Sequence, residues 1–120
     1  MTVSSPPGAA TGGDSPSRTA VDAIRAGDVL TIVVSGDLDA SSGTALDATL
    51  DGILATDPPA SVDIDLGQLD FCDTAGVRAL LRAHRRATAE GTRCRLTRTR
   101  PHVAWLLQAT GATELLDPGA

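Results

Sequence analysis

Val62-Asp63-Ile64-Asp65-Leu66 runs, after four residues, into Phe71-Cys72-Asp73-Thr74-Ala75-Gly76-Val77-Arg78-Ala79-Leu80-Leu81. The first segment alternates apolar and acidic residues with period two. That predicts a strand with one face better covered than the other. From Phe71 to Thr74 the chain leads into a helix, because Val77, Leu80, Leu81, His84 and Thr88 share one helical face. Gly91 predicts its stop. Upstream, Val29–Ser35 is β-branched and apolar, the strongest strand signal in the chain. Val21–Arg25 is a weaker strand signal, joined to it by the turn Ala26-Gly27-Asp28, so the pair reads as a hairpin. After Gly36-Asp37-Leu38-Asp39, Ser41 and Ser42 offer an N-cap. Leu46, Leu50, Ile53 and Leu54 then line one face of a helix that Asp57-Pro58-Pro59 ends. Downstream, Arg93–Thr97 predicts a strand with Cys94 and Leu96 inward. A last helix starts at Pro101, carries Val103, Leu106, Leu107 and Thr110 inward, and ends at Gly111. The order β-β-α-β-α-β-α implies an α/β fold with right-handed crossovers and a mainly parallel sheet.

Composition narrows the function. The 120 residues suffice for one domain, and the formal net charge is −5. Every basic residue is Arg, and the aromatics are one Phe and one Trp, so the core is expected to be aliphatic. An acidic chain with no basic, aromatic surface is a poor nucleic-acid binder. No apolar run approaches the ~18 residues of a membrane span. No signal-peptide core is visible in Met1–Ala20, and Cys72 and Cys94 make no disulfide framework, which together predict a cytoplasmic protein with free thiols. The segment 1–17 is rich in Ser, Thr, Pro and Gly and is expected to be a disordered tail. Charge is polarised: Asp22–Asp73 holds eleven Asp and one Arg, whereas Arg78–Arg100 holds eight Arg and one Glu. The reversal falls between Asp73 and Arg78.

Gly36-Asp37-Leu38-Asp39 resembles the G-E-L-D element that follows the second strand of the STAS domain of bacterial anti-sigma factor antagonists. Val62–Leu66 with Phe71–Leu81 resembles that family's strand, D-S-S-G or D-S-T-G loop and helix. Pro101–Leu107 with Thr110-Gly111 resembles its last helix. The resemblance spans about Val21 to Leu116. It implies a mixed, mainly parallel sheet of four to five strands, three or four helices and an N-terminal β-hairpin, in a domain over 18–116 with a short tail at 117–120. It also implies a partner switch. The unphosphorylated protein would bind an anti-sigma factor that is itself a GHKL-type serine/threonine kinase, and so free a sigma factor. Phosphorylation would break the complex and a phosphatase would reset it. The hydroxyl residue after the loop Asp is Thr74, with Asp37, Asp39, Asp73, Ala75, Gly76 and Val77 as the partner-facing patch. No cofactor is implied, and ATP and Mg²⁺ would belong to the kinase. The chain departs from the pattern in Thr74, where Ser is commoner, and in Ala75, where a second hydroxyl is usual. Some cytosolic relatives with a D-T-x-G loop are accessory subunits of ABC lipid transporters, in which the threonine contacts the ATPase subunit. That is the alternative function.

Other residues admit two readings. Asp37 and Asp39 either meet a partner or cap the turn and first helix. Asp73 binds a partner, orients the loop by accepting from helix N–H groups, or does both. Thr74 is a phosphosite or a plain N-cap. Cys72 sits where a thiol pKa can fall, but with no His or Cys nearby in sequence it reads, like Cys94, as core. His84 and His102 have no metal-ligand spacing, so no metal is expected. No nucleophile–base arrangement or phosphate-binding glycine loop is present, so the chain is not expected to be an enzyme. Arg78, Arg82 and Arg85 or Arg86 form a solvated face, or pair with acidic residues of a partner kinase. Trp105 falls off the apolar stripe and is an interface anchor or packs on the flank.

Overall fold

A computed structural model describes Thr2–Val3 and residues 19–116. The elements are β1 (Thr2–Val3), β2 (Ala20–Ala26), β3 (Val29–Leu38), α1 (Ala40–Thr56), β4 (Ser61–Asp65), β5 (Leu69–Cys72), α2 (Thr74–Ala89), β6 (Arg93–Thr97), α3 (Pro101–Ala109) and a 3-10 turn at Thr113–Leu116. The sheet order is β1-β2-β3-β4-β6, with β5 paired to β3. The hairpin β2–β3 is antiparallel and turns at Gly27, whose φ of 60° suits glycine. β3, β4 and β6 are parallel, as the alternation of strands and helices requires. Of the expected tail at 1–17, Thr2–Val3 pairs with β2, and the rest lies outside the described residues, as does 117–120.

The core is aliphatic throughout. Leu30, Ile32 and Val34 of β3 and Val62 and Ile64 of β4 point to one side, under Leu46, Leu50 and Leu54 of α1 and Val77 and Leu80 of α2. Phe71 and Trp105 both stay outside it, 51% and 67% exposed. The face of α2 differs from the expected stripe. Ala79, Ala83 and Ala87 are buried beside Val77 and Leu80, whereas Leu81 and His84 are half-buried and Thr88 is exposed. Small residues turn inward because α1 lies close: a Cβ on Gly43 would sit 2.9 Å from Ala79 Cβ.

Three boundaries differ from expectation. β3 does not end at Ser35 but continues to Leu38 through an irregularity between Gly36 and Asp37, with Gly36 at φ 81°. Leu69–Cys72 forms β5, a parallel partner for that extension, so Phe71 and Cys72, expected to lead into a helix, end a strand. The cap of α1 is Asp39 and not Ser41 or Ser42. Its carboxylate accepts from the Ser41 and Ser42 N–H groups, and the Ser42 hydroxyl accepts from the Asp39 N–H, a reciprocal capping box.

Candidate functional site

The site is built where β3 and β5 end together. Asp37 pairs with Phe71 and Leu38 with Cys72, so Asp37-Leu38-Asp39 runs alongside Phe71-Cys72-Asp73. The Asp73 N–H donates to the Leu38 carbonyl at 3.3 Å, which ties the two strand ends as each turns into its helix. Two acidic segments that are more than thirty residues apart in sequence thereby share one edge.

Asp73 is the N-cap of α2, and its carboxylate accepts from the Gly76 N–H at 2.9 Å. The capping reading of this residue is what the structure shows, with the side chain half-buried. Asp39 likewise caps α1. The Ser42 N–H is the main cause of its lowered carboxyl pKa, followed by the Ser41 and Ser42 hydroxyls. Asp37 is half-buried, and its carbonyl accepts from the Ser42 and Thr19 hydroxyls. Thr74 opens α2 and is exposed, and Ala75 is half-buried beside it.

Gly76 and Val77 lie beneath this surface, not in it, since both are buried. Gly76 is required by a close approach within the chain itself. A Cβ there would collide with the Leu38 carbonyl oxygen and come within 2.9 Å of Cys72 Sγ. Its role is to let α2 sit on the end of β3. Cys72 and Cys94 are buried and free. Burial, with the Asp73 charge adding to it, pushes the Cys72 thiol up to about 11. Burial and Asp63 push Cys94 up to about 12. Neither thiol is activated.

Electrostatics single out the same edge. The Asp-rich and Arg-rich halves of the chain fold against each other as ion pairs. Arg82 meets Asp47 at 3.0 Å and Arg86 meets Asp51 at 2.7 Å, across α1 and α2. Arg95 of β6 meets Asp63 of β4 at 3.1 Å, and Arg98, just after β6, meets Asp65 at 2.9 Å. Arg25 joins Asp28 and Asp57, and Arg100 joins Asp70. Among the described residues, Asp22, Asp37, Asp39 and Asp73 are the Asp side chains of Asp22–Asp73 that enter no ion pair, and three of them are at this site. The groove between α1 and α2 is lined by Asp47, Asp51, Arg82, Arg85 and Arg86. Among the described residues, no cluster of His, Cys, Asp and Glu could hold a metal ion, and no helix is long and apolar enough to cross a membrane.

The family model described as Mlab, STAS domain matches residues 21–117. The chain belongs to the STAS domain family. The fold of this STAS domain recurs in solved structures. An anti-sigma factor antagonist from Mycobacterium paratuberculosis superposes with a TM-score of 0.72 at 22% identity, over 83% of this chain and 84% of that one. The anti-sigma factor antagonist SpoIIAA in its unphosphorylated form gives 0.70 at 20% identity, over 79% and 84%. A sulfate transporter family protein from Wolinella succinogenes gives 0.69 at 19% identity, over 78% and 75%. No curated protein matches the sequence at significance.

The sequence alone did not place β5, and with it missed the pairing that brings Asp37 beside Phe71. The signal was faint. Leu69-Asp70-Phe71-Cys72 buries only its two ends, so no period-two pattern marks it.

Proposed function

We propose that this STAS domain is an anti-sigma factor antagonist that works as a non-enzymatic phospho-switch at Thr74. The observation that carries the reading is the placement of Thr74: an exposed hydroxyl at the first residue of α2, on an edge whose carboxylates have no internal cations. In its unphosphorylated form the edge formed by Asp37, Asp39, Asp73, Thr74 and Ala75 docks on a GHKL-type anti-sigma factor kinase, with Gly76 and Val77 supporting it from below. The kinase transfers the γ-phosphoryl group of ATP. Thr74 Oγ forms the new bond to phosphorus, the bond to the β-bridging oxygen breaks, ADP leaves, and the hydroxyl proton passes to a base on the kinase. The product carries about −1.5 to −2 additional charge. A surface complementary to three carboxylates and a neutral hydroxyl is then opposed by a dianion, and the complex opens. A phosphatase restores the hydroxyl. Solved SpoIIAA structures include a phosphorylated form, which supports the reading by likeness of fold.

The test is incubation with the kinase encoded beside the protein and ATP, followed by mass spectrometry. Phosphate is expected on Thr74 and absent in Thr74→Ala. Capture experiments should retrieve the kinase with wild type and Thr74→Ala but not with Thr74→Glu. Equal labelling of Thr74→Ala, or equal capture by all three, would sink the switch. A sulfate transporter family protein shares the fold, so a transporter-associated role is the second reading, taken here as an accessory subunit of an ABC-type lipid transporter. In that case Thr74 contacts an ATPase subunit without being modified. An ABC ATPase and permease encoded alongside, with no kinase, would decide for it.

A further inference from the structure

The arginines of α2 are not equivalent. Arg82 and Arg86 are held by Asp47 and Asp51 on α1, and Arg85 lies 3.6 Å from Glu114. Arg78 is exposed and, among the described residues, enters no ion pair. It is also four residues after Thr74 in the same helix. Side chains at that spacing share a face, with Cβ atoms about 5–6 Å apart. An acid placed N-terminal to a base is the favourable order for such a pair. The carboxylates that share this edge with Thr74 are Asp73 on the cap of α2 and Asp37 and Asp39 at the end of β3. Arg100, at the start of α3, is engaged with Asp70.

We propose that Arg78 is the cation that receives the phosphate of Thr74 within the same helix. The inference rests on Thr74 being the switch residue and adds a second action to it. Phosphorylation places a dianion on the docking edge and at the same time draws the free guanidinium of Arg78 back onto its own chain. A partner carboxylate that used Arg78 in the unphosphorylated complex loses that contact. A planar, forked guanidinium suits phosphate oxygens.

The test uses the full chain with phosphothreonine built in at position 74 by codon reassignment, so that no kinase is needed. The ³¹P resonance is followed against pH in this protein and with Arg78→Gln or Arg78→Lys added. Loss of a helical ion pair raises the phosphate titration midpoint, by about 0.3 pH units or more in Arg78→Gln. Arg78→Lys should restore most of the difference. An unchanged midpoint in Arg78→Gln overturns the pairing. An equal rise in Arg78→Lys also overturns it, since it would assign the effect to the helix and not to charge. Because the phosphate is installed directly, either result is separate from whether a kinase modifies Thr74.

Discussion

A methyl group on Gly76 has nowhere to go. It would meet the Leu38 carbonyl oxygen, a backbone atom held in the β3–β5 pairing, and the buried Cys72 sulfur. Gly76→Ala is therefore expected to push α2 off the strand end, at a cost of about 1–3 kcal/mol, read as a lower urea midpoint. An unchanged midpoint would show that the loop yields freely. Asp39 makes a different kind of contribution. Its folded carboxyl pKa is lowered by the capping N–H and hydroxyl groups, from an ordinary 3.8. A lowered folded pKa means stability that is present above the unfolded value and lost as pH falls through the folded one. Asp39→Asn keeps the shape of the cap and removes the charge. Wild type should therefore melt above Asp39→Asn at neutral pH, and the gap should close below 3.8. A gap that widens in acid would contradict the cap. These residue roles were partly legible. The capping role of Asp39 was one of two open readings, but Ser41 and Ser42 looked equally able to cap. Only backbone geometry distinguishes a residue that precedes the first turn from one inside it.

At the scale of elements, α1 and α2 pack through small residues. Gly43 faces Ala79, and Ala83 and Ala87 continue the seam. Ala79→Leu inserts bulk where a Cβ contact is already tight and is expected to destabilise by about 1–3 kcal/mol in chemical denaturation. Equal stability would mean that the helices can separate without loss. The ion pairs that flank the seam, Arg82–Asp47 and Arg86–Asp51, are at least half exposed on the arginine side and align the helices more than they hold them. The elements themselves differed in legibility. β3 and α1 were plain, because a β-branched run and a Leu stripe each bury a continuous face. The stripe of α2 was misjudged by one helical column. Hydrophobicity ranks Leu81 above Ala83, yet the closeness of α1 selects alanine for the inner face. β5 escaped because a four-residue edge strand with two exposed residues carries no periodicity.

Across the whole molecule, the sequence polarity becomes pairing. The Asp-rich half forms β3, α1 and β4, and the Arg-rich half forms α2 and β6, which pack beside them. Opposite charges therefore meet between α1 and α2 and between β4 and β6, and the unpaired Asp37, Asp39 and Asp73 gather at the β3–β5 edge. Because the pairs are largely solvent-exposed, raising NaCl from about 0.05 M to about 0.5 M should change the unfolding free energy by less than ~1 kcal/mol. A fall of several kcal/mol in a denaturant titration would show that the pairs are a main source of stability. Trp105 remains at the surface, which keeps its reading as an interface anchor, and Phe71, two residues before Asp73, is exposed as well.

The linear chain was enough to establish an α/β domain with a hairpin, three helices and an aliphatic core. Those properties follow from local periodicity, turn residues and composition, which need no knowledge of neighbours. It was also enough to mark Asp73-Thr74-Ala75-Gly76 as the loop of interest. Tertiary structure alone decided that Asp37 and Asp39 stand beside Asp73, that Gly76 and Val77 lie under the surface, and that Arg78 is left free while its helical neighbours are taken. Each of these is a relation between segments distant in sequence. It is created when β5 zips against the end of β3 and α2 settles on α1, and no pattern within a single segment encodes it.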